Sequence, residues 1–262
     1  MQIAVTVVAY EASDTIEGVL DRIPATIDGR VPWVLISDDA SSDNTFDLAE
    51  KWAARNPHFE VEVTHQPVNL GYGGNQKALY QWAHDRGADI AILVHGDGQY
   101  PPEMAADLVA PLVAGEAEAV HGSRMILPGG AKRGRMPIDR RIGNRVLSRT
   151  FNFLSGSHLS EWFSGFRAYK VDRLMAIPDL HDLPNGFDFD TAITLRLLEN
   201  DDRIAEVAIP THYGDEISRV PLLRTGLAGL AHAVEHWRHF GRRGAAGAAS
   251  PAPGAADPAT EA

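Results

Sequence analysis

A cluster of polar side chains, residues 95–99 (HGDGQ), directly follows the apolar run 91–94. Alternate residues of an extended segment point the same way, so Asp97 and Gln99 can face a common point. Oxygen ligands of this kind suit Mg²⁺ or Mn²⁺ bridging to a diphosphate, and the glycines beside Asp97 let a ligand approach the backbone closely. The pattern predicts a divalent-metal site, with a plain turn before the next, proline-started helix as the alternative.

Two other predicted strand ends are also polar: the first in Ala9, Tyr10 and Glu11, and the second in Asp38 and Asp39. Ligands of open parallel sheets bind beyond the carboxyl ends of the strands. Residues 41–44 are good helix caps, so capping alone is the alternative for the second end. Two adjacent acids exceed what one cap needs, which favours a ligand site.

Residues 69–75 (NLGYGGN) form a glycine-rich stretch that could cradle a phosphate. The stretch lacks the Walker pattern, and no complete G-x-G-x-x-G follows the first strand. A flexible turn before a helix at 74–86 is the alternative, and the sequence leaves both interpretations open.

Basic residues are concentrated in one segment of an acidic chain. Eight of the 24 Lys and Arg residues lie within residues 124–149, although the net charge of the whole chain is -11. Such a segment favours an anionic partner, and phosphate suits arginine because the guanidinium makes bidentate contacts. A solvated helix face is the alternative.

The segment contains a glycine-rich loop, 127–138, and a predicted helix, 139–155. Arginines four residues apart share one face of this helix: Arg141, Arg145 and Arg149. Apolar residues are expected on another face: Ile142, Val146 and Phe153. The helix is therefore expected to be amphipathic.

The remaining pattern alternates short apolar runs with helical stretches. The runs predict strands at 2–9, 31–37, 60–65, 89–94, 117–121, 165–171 and 204–209. The stretches between them predict helices at 13–27, 43–55, 74–86, 102–114, 139–155, 190–200 and 221–240. Strands that alternate with helices indicate an α/β fold with a mainly parallel sheet.

Composition excludes several classes of protein. The absence of cysteine excludes disulfide scaffolds, zinc–thiolate sites and a cysteine nucleophile, and the acidic balance argues against a general nucleic-acid binder. No apolar run approaches the ~20 residues of a membrane span. Met1 leads straight into a strand pattern, so we expect a cytoplasmic protein without a secretory signal.

The chain is expected to have three parts. Residues 1–220 form the domain, and residues 221–240 form an amphipathic helix that packs on the domain or lies on a membrane surface. Of the last 22 residues, 241–262, 16 are Ala, Gly or Pro, so a disordered tail is expected.

Eight motifs occur in an order that resembles family 2 glycosyltransferases of the GT-A fold, and the dolichol- or polyprenol-phosphate branch in particular: AYEASDTI, SDDASSDNT, NLGYGGNQKAL, HGDGQYPPE, GSRM, SEWFSGFRAY, FDFDTAI and PTHYGDEISR. The resemblance covers about residues 2 to 220. It implies a Rossmann-like, mostly parallel twisted sheet in a single domain and inversion at the anomeric carbon. It also implies a nucleotide-diphosphate sugar donor, a polyprenyl phosphate acceptor, and Mg²⁺ or Mn²⁺.

The resemblance also implies roles for individual residues. Nucleotide contacts are expected at Ala9, Tyr10, Glu11, Asp38, Asp39 and Gly71. Asp97 corresponds to the direct metal ligand and Gln99 to the metal-side residue that follows it. His95 stands where the family has a further acid, and a structural, hydrogen-bonded His95 is expected rather than a ligand because imidazole binds Mg²⁺ poorly.

Catalytic and acceptor roles are less tightly specified. A sugar-hydroxyl acceptor needs a general base, whereas a phosphate acceptor is already anionic. Besides Asp97, the candidate catalytic acids are Glu161 and Asp190, with Asp188 as a further candidate, although Asp188 and Asp190 can also cap a helix. Candidate acceptor- or phosphate-binding residues are Arg124, Arg140, Arg141 and Arg167, and Arg167 can equally be a structural ion-pair partner.

Three other functions are weighed against lipid glycosylation. Transfer to a soluble sugar or natural-product hydroxyl is the main alternative, and a catalytically idle nucleotide-sugar binder is the second. A dinucleotide oxidoreductase is disfavoured because the first strand ends in Tyr10 and Glu11 rather than in a glycine loop. The sequence leaves open a homo-oligomer and peripheral attachment to the inner face of the membrane.

Overall fold

The computed structural model describes residues 1–127, 131, 136–210 and 222–240. Its centre is a seven-stranded sheet with the order β3-β2-β1-β4-β6-β5-β7. The strands are β1 Ile3–Ala9, β2 Trp33–Asp38, β3 Glu60–His65, β4 Ile90–His95, β5 Ala119–Ser123, β6 Arg167–Lys170 and β7 Ile204–Ala208. Only β6 runs antiparallel to its neighbours in this sheet, so the predicted mainly parallel sheet is confirmed.

The apolar runs become strands because their β-branched residues fit a pleated surface that is buried on both sides. All residues of β1 are buried. Alternate side chains of β1 belong to two different cores, with Ile3, Val5 and Val7 in one and Ala4 and Val8 in the other. The sheet therefore lies between two helical layers. The polar residues that end β1, β2 and β4 come together at one edge.

The helices are α1 Ile16–Leu20, α2 Thr45–Arg55, α3 Tyr72–Asp85, α4 Ala105–Val113, α5 Ile138–Ser155, α6 Val171–Met175, α7 Phe189–Glu199 and α8 Leu222–Phe240. The predicted helix 13–27 was wrong in length, because Pro24 cannot continue a helix and Asp28, with φ of 50°, turns the chain. The predicted strand 165–171 was also too long. It ends at Lys170, where the unpredicted α6 begins.

The C-terminal helix α8 packs against α5 and α7. A Cβ at Gly226 would lie 2.7 Å from Leu147 Cδ1, and Gly229 lies against Phe151 and Thr191, so both glycines permit close helix contact. Within the described ranges, no helix combines the length and apolar character needed to cross a membrane. Most of the predicted loop 127–138 and all of the predicted tail 241–262 lie outside the described residues.

Candidate active site

A cavity of about 1020 Å³ opens at the carboxyl ends of β1, β2 and β4. We call the side formed by residues 8–15, 39, 69–75 and 95–100 the strand wall, and the side formed by 124, 136–144, 162–165 and 185–191 the helix wall. Ten sequence-predicted site residues line the cavity: Ala9, Tyr10, Glu11, Asp39, Gly71, Asp97, Gln99, Arg124, Arg140 and Asp190. Five others do not: Asp38, Arg141, Glu161, Arg167 and the further candidate Asp188.

Asp38 and Asp39 are adjacent at the end of β2 but have different surroundings. Asp39 lines the cavity, and its Oδ1 accepts the Leu70 N–H at 2.7 Å. Burial raises the pKa of Asp39. Asp38 is fully buried, where its carboxylate lies 2.5 Å from His65 Nδ1 and accepts the hydroxyl of Ser41. Asp38 therefore holds the strand ends together instead of facing the cavity, in contrast to the predicted nucleotide contact.

Tyr10 and Glu11 form the rim of the strand wall. Glu11 has a φ of 48°, which turns the chain after β1. Its N–H donates to Ser41 Oγ at 2.8 Å, and its Oε1 accepts both the N–H and the hydroxyl of Ser42 at 2.9 Å. The side chain of Tyr10 is half exposed beside this turn. The rim is thus fixed by bonds between the ends of β1 and β2.

The glycines of residues 71–74 pack against the loop that precedes α7. A Cβ at Gly71, where φ is 78°, would lie 2.7 Å from the Asn185 carbonyl oxygen, and a Cβ at Gly73 would lie 2.5 Å from Phe189 Cβ. The Gly73 N–H donates to that same carbonyl at 2.8 Å. Close packing explains these glycines, and Gly71 also lines the cavity.

Lys77 connects α3 to the chain before α7 through hydrogen bonds. Its Nζ donates to the carbonyl oxygens of His181 at 3.0 Å and Leu183 at 2.7 Å. Burial lowers the pKa of Lys77. The lysine is therefore a structural donor and does not face the cavity.

Asp97 and Gln99 lie beside each other on the cavity surface after β4. Asp97 is exposed, and its Oδ1 accepts the Gln99 N–H at 3.1 Å. Among the described residues, no group of three His, Cys, Asp or Glu side chains converges as a metal cage. One carboxylate and one amide fit a cation that completes its coordination with water and ligand phosphates, as Mg²⁺ does. The donor set does not fit a metal enclosed by protein alone.

His95 packs among aromatic rings beneath this pair. Its ring contacts those of Tyr72 and Tyr100 edge-on, and its Nε2 lies 3.2 Å from the Tyr72 hydroxyl. A Cβ at Gly165 would lie only 2.5 Å from His95 Cε1. Burial lowers the pKa of His95, so the ring is neutral near pH 7 and adds no charge to the site. These contacts suit the structural His95 expected from the sequence.

Asp190 brings a carboxylate to the helix wall from the first turn of α7. Its Oδ2 accepts the Tyr72 hydroxyl at 2.9 Å, and its Oδ1 accepts Gln76 Nε2 at 3.2 Å. Both donors are neutral groups. Asp188 does not line the cavity, and its Oδ2 lies 3.3 Å from His232 Nε2 on α8.

Glu161 is engaged by protein groups on both carboxylate oxygens. Its Oε2 accepts the backbone N–H of Arg124 at 2.7 Å, and its Oε1 accepts Arg124 Nε at 3.0 Å and Asn144 Nδ2 at 2.7 Å. The side chain of Glu161 is fully buried, and that of Arg124 is only 12% exposed. Instead of the free general base that the sequence suggested, Glu161 is the counter-ion that fixes Arg124 and links it to α5.

Arg167 is also fully buried. Its guanidinium donates to the carbonyl oxygens of Asp190 at 2.7 Å, Ser164 at 2.8 Å and Trp162 at 3.0 Å. The sequence left open an acceptor-binding and a structural role for Arg167. The structure favours the structural role, because the guanidinium hydrogen-bonds backbone carbonyls of the segments that form the helix wall. The predicted acceptor contact is not available to it in this conformation.

Arg140 and Arg141 are neighbours on α5 and diverge in direction. Arg140 lines the cavity and Arg141 does not. Successive residues of an α-helix point about 100° apart, so one of two adjacent arginines faces the cavity and the other turns away. The structure therefore separates two residues that the sequence had treated as a pair.

The sequence did not indicate the roles of two residues, Tyr72 on the strand wall and Asn144 on the helix wall. Tyr72 hydrogen-bonds both Asp190 and His95, and Asn144 holds Glu161. Tyr72 lies inside the glycine-rich stretch, whose pattern points to a turn or a phosphate cradle and not to a tyrosine hydrogen bond. Asn144 follows Arg140 by four residues, and this helical spacing was the available signal.

Solved structures establish the fold class. The mannosyl-3-phosphoglycerate synthase of Rubrobacter xylanophilus matches with a TM-score of 0.69 over 92% of this chain and 75% of that chain, at 17% identity. The glucosyl-3-phosphoglycerate synthase of Mycobacterium tuberculosis in complex with UDP matches with a TM-score of 0.64 over 90% and 79%, at 20% identity. The fold is that of a GT-A glycosyltransferase, as the sequence predicted.

The family follows from the sequence itself. The model of glycosyl transferase family 2 matches residues 4–175. The chain belongs to glycosyl transferase family 2.

Two relatives share about a third of the aligned residues with this chain. An undecaprenyl-phosphate mannosyltransferase of Micrococcus luteus is 35% identical over 177 residues, which cover 67% of this chain and 70% of that protein. A polyprenol monophosphomannose synthase of Mycolicibacterium smegmatis is 31% identical over 177 residues, covering 67% and 65%. The expected resemblance to polyprenol-phosphate glycosyltransferases is confirmed.

Proposed function

We propose that this glycosyltransferase moves a hexosyl group from a nucleoside-diphosphate sugar to a polyprenyl phosphate, with inversion at the anomeric carbon. The observation that carries the proposal is the division of one cavity: Asp39 and Asp97 lie on the strand wall, and Arg124 and Arg140 lie on the helix wall. This distribution of charge suits a donor diphosphate that binds at the strand wall together with a cation. It also suits an anionic acceptor that binds at the helix wall. The names of the two relatives support the same acceptor class.

The strand wall is suited to the nucleoside. Asp39 offers a carboxylate oxygen to ribose or base donors, beside the half-exposed ring of Tyr10. Ala9, Glu11 and Gly71 border the same space. A charge-assisted hydrogen bond of this kind contributes about 1.5–3 kcal/mol.

Asp97 and Gln99 would hold Mg²⁺ or Mn²⁺ next to the donor diphosphate. When bound, the ion neutralises the charge that develops on the departing nucleoside diphosphate. A glucosyl-3-phosphoglycerate synthase with a similar fold has been solved with both Mn²⁺ and UDP, which supports this assignment.

A phosphate acceptor needs no general base, because the attacking oxygen is already anionic. This oxygen attacks the anomeric carbon from the side opposite the leaving group. A carbon–oxygen bond forms there while the bond from that carbon to the donor diphosphate breaks, and the electron pair leaves with the nucleoside diphosphate. One such displacement inverts the configuration. Arg140 offsets the charge of the acceptor phosphate, and Arg124, whose charge Glu161 compensates, contributes N–H donors beside it.

A second candidate function is transfer to a neutral sugar hydroxyl. The observation that favours it is Asp190, a carboxylate on the cavity whose two protein donors are neutral. Such a group could accept the proton of an attacking hydroxyl. With a phosphate acceptor, the same carboxylate orients a sugar hydroxyl.

The test is a transfer assay with labelled UDP-, GDP- and dTDP-sugars, with Mn²⁺ or Mg²⁺, and with undecaprenyl phosphate or a soluble sugar alcohol as acceptor. The expected product carries the label into the organic phase on extraction. Label that stays in water with the sugar alcohol, and none in the lipid, would overturn the proposal in favour of the second function.

Adjacent arginines provide a matched pair for the acceptor site. Arg140→Ala is expected to raise the acceptor KM about tenfold, since one charge-assisted phosphate contact is lost, and to leave donor binding unchanged. Arg141→Ala is expected to change the acceptor KM by less than about threefold, because Arg141 does not line the cavity. Equal effects of the two substitutions would contradict this assignment.

A further inference from the structure

The burial pattern of α5 departs from that of an ordinary surface helix, although Leu147, Phe151 and Leu154 do pack on the core. Its buried residues are mainly polar or small: Asn144, Ser148, Phe151 and Ser155. Its exposed residues include four large apolar side chains: Ile138 (65% exposed), Ile142 (56%), Val146 (55%) and Phe153 (58%). Helices that pack on a domain normally bury the apolar stripe and expose the polar one. The outer side of α5 therefore presents Ile138, Ile142 and Val146 as exposed apolar surface.

These apolar residues form one contiguous face. At about 100° per residue, the four side chains fall within an arc of about 80° around the helix axis. We call this surface, together with the residues that border it, the outer face of α5. Contiguous exposed apolar surface on a soluble domain marks a site of interaction.

Positive charge borders the apolar residues on the same side. Arg145 and Arg149 are exposed, and their positions extend the arc by only about 20°. The sequence had been interpreted as placing the arginines and the apolar residues on separate faces, but Arg145 and Arg149 adjoin the apolar stripe. Arginines beside large apolar residues are the composition of a helix that lies in a membrane interface. The chain outside this segment is acidic, so the positive charge is local.

We infer that the outer face of α5 is a docking surface for an anionic lipid bilayer, with Ile138, Ile142 and Val146 inserted among the acyl chains and Arg145 and Arg149 at the headgroups. The inference rests on the proposed function and identifies where that enzyme meets its lipid. Arg140 and Asn144, on the other side of α5, line the cavity. The cavity is thus about one helix diameter, ~10 Å, from the membrane surface, and a phosphate at the headgroup level can reach it.

The first test is flotation of the full chain with vesicles of phosphatidylcholine and phosphatidylglycerol in equal parts. Ile142→Glu and Val146→Glu are each expected to reduce the partition coefficient at least about tenfold, because each puts a charge in place of an inserted apolar group. Val31→Glu is the matched control, since Val31 is 47% exposed and precedes β2 at the end of the sheet away from the cavity. Arg145→Ala and Arg149→Ala are each expected to lower the partition coefficient about fivefold, and only when the vesicles contain the anionic lipid.

Several outcomes would overturn the inference. Wild-type protein that does not float, or an Ile142→Glu variant that floats as wild type does, would each do so. Sedimentation that shows a wild-type dimer dissociated by Ile142→Glu, without loss of vesicle binding, would assign the face to a second copy of the chain. Unchanged circular dichroism and unchanged thermal unfolding of the variants verify the fold.

A second measurement separates this inference from the proposed function. Ile142→Glu is expected to transfer sugar to a water-soluble, short-chain prenyl phosphate at the wild-type rate, and to lose activity about tenfold on long-chain acceptor in vesicles. If neither protein glycosylates any prenyl phosphate, the proposed function fails, whereas the flotation result still decides whether α5 docks to a bilayer. Equal loss with both acceptors would contradict a docking role.

Discussion

The two walls of the cavity are built in different ways. On the strand wall, Asp39 and Asp97 follow strands of the parallel sheet, and the sheet itself sets their positions. On the helix wall, Arg124 is held by Glu161, and Glu161 is held by Asn144, through contacts between residues 17 to 37 positions apart in the chain. One wall depends on backbone pairing and the other on a buried network of charged and polar side chains.

This difference has an energetic consequence. A side chain that is placed by backbone pairing can be changed without disturbing its neighbours, because the strand persists without it. A side chain inside a buried ion pair cannot, because its removal leaves an uncompensated charge. Substitution of the exposed Asp97 should therefore affect function at constant stability, whereas substitutions in the Glu161 network should affect stability itself.

The largest effect on stability is expected at Glu161. Glu161→Ala leaves the guanidinium of Arg124 and the amide of Asn144 without their acceptor in a buried site. We predict a loss of about 3–5 kcal/mol in the free energy of unfolding, measured by urea denaturation.

A surface ion pair provides the control for Glu161. Glu103 lies 3.7 Å from Arg22, and both side chains are about half exposed. Glu103→Ala should therefore lower the free energy of unfolding by less than about 1 kcal/mol. If Glu161→Ala kept wild-type stability but had no turnover, Glu161 would be a catalytic base and the contrast between the walls would fail.

At Asp97, on the strand wall, we expect a substitution to reduce activity and to leave stability unchanged, in contrast to Glu161. Asp97→Asn is predicted to lower turnover about 10²–10³-fold, since several kcal/mol of charge stabilisation are lost, while the thermal midpoint of the free protein stays unchanged. The rise in that midpoint with Mn²⁺ and UDP should also disappear. Asp107→Asn, on the exposed side of α4, is the matched control. An undiminished Mn²⁺-dependent shift in Asp97→Asn would contradict the metal assignment.

A smaller effect is expected at Asp39. Asp39→Ala should weaken binding of a nucleoside diphosphate by about 1.5–3 kcal/mol, measured by titration calorimetry. Asp39→Asn keeps an oxygen for the Leu70 N–H and therefore separates ligand binding from loop support. Wild-type affinity in both variants would remove Asp39 from the nucleotide site.

The sequence predicted for a physical reason that the residues of the strand wall lie at one edge of the sheet, whereas their roles stay predictions. Apolar runs followed by polar residues define strand ends, and parallel strands bring those ends to one edge. The prediction failed at Asp38 because adjacent residues of an extended chain point to opposite sides. No pattern in the sequence states which of two neighbouring acids faces the core.

The helix wall was harder to predict, because its contacts are not local. The pairing of Glu161 with Arg124 depends on where β5 and the segment before β6 meet in space, and spacing along the chain does not reveal it. The same holds for α5, whose periodicity showed amphipathic character without indicating which face is buried. The sequence indicated candidate residues of the helix wall. The structure shows that Glu161 and Arg167 among them are buried and hydrogen-bonded to other protein groups.

The smallest effect concerns pH and a histidine behind the helix wall. His121 on β5 is buried, and both ring nitrogens have no hydrogen-bond partner among the described residues. Burial holds the pKa of His121 well below its usual value. The unfolded chain binds this proton below about pH 6.5 and the folded chain does not, so stability falls as pH drops, by up to about 1.4 kcal/mol per pH unit.

Thermal midpoints measured at a series of pH values test this prediction. His121→Phe removes the titrating group and should flatten the dependence below pH ~6.5. His95 contributes in the same direction from the strand wall, since burial also lowers its pKa, so some slope should persist. A variant with the wild-type pH profile would show that His121 does not contribute.

The contact between α3 and the loop before α7 restricts how this enzyme can move. Gly73 touches Phe189 without room for a methyl group, and Lys77 binds two carbonyl oxygens of the same loop. We therefore expect α3 and this loop to move together, with Asp190 at the start of α7. If the proposed function holds, a larger donor sugar would gain no space by a separation of α3 from this loop, because that separation would break the two Lys77 hydrogen bonds.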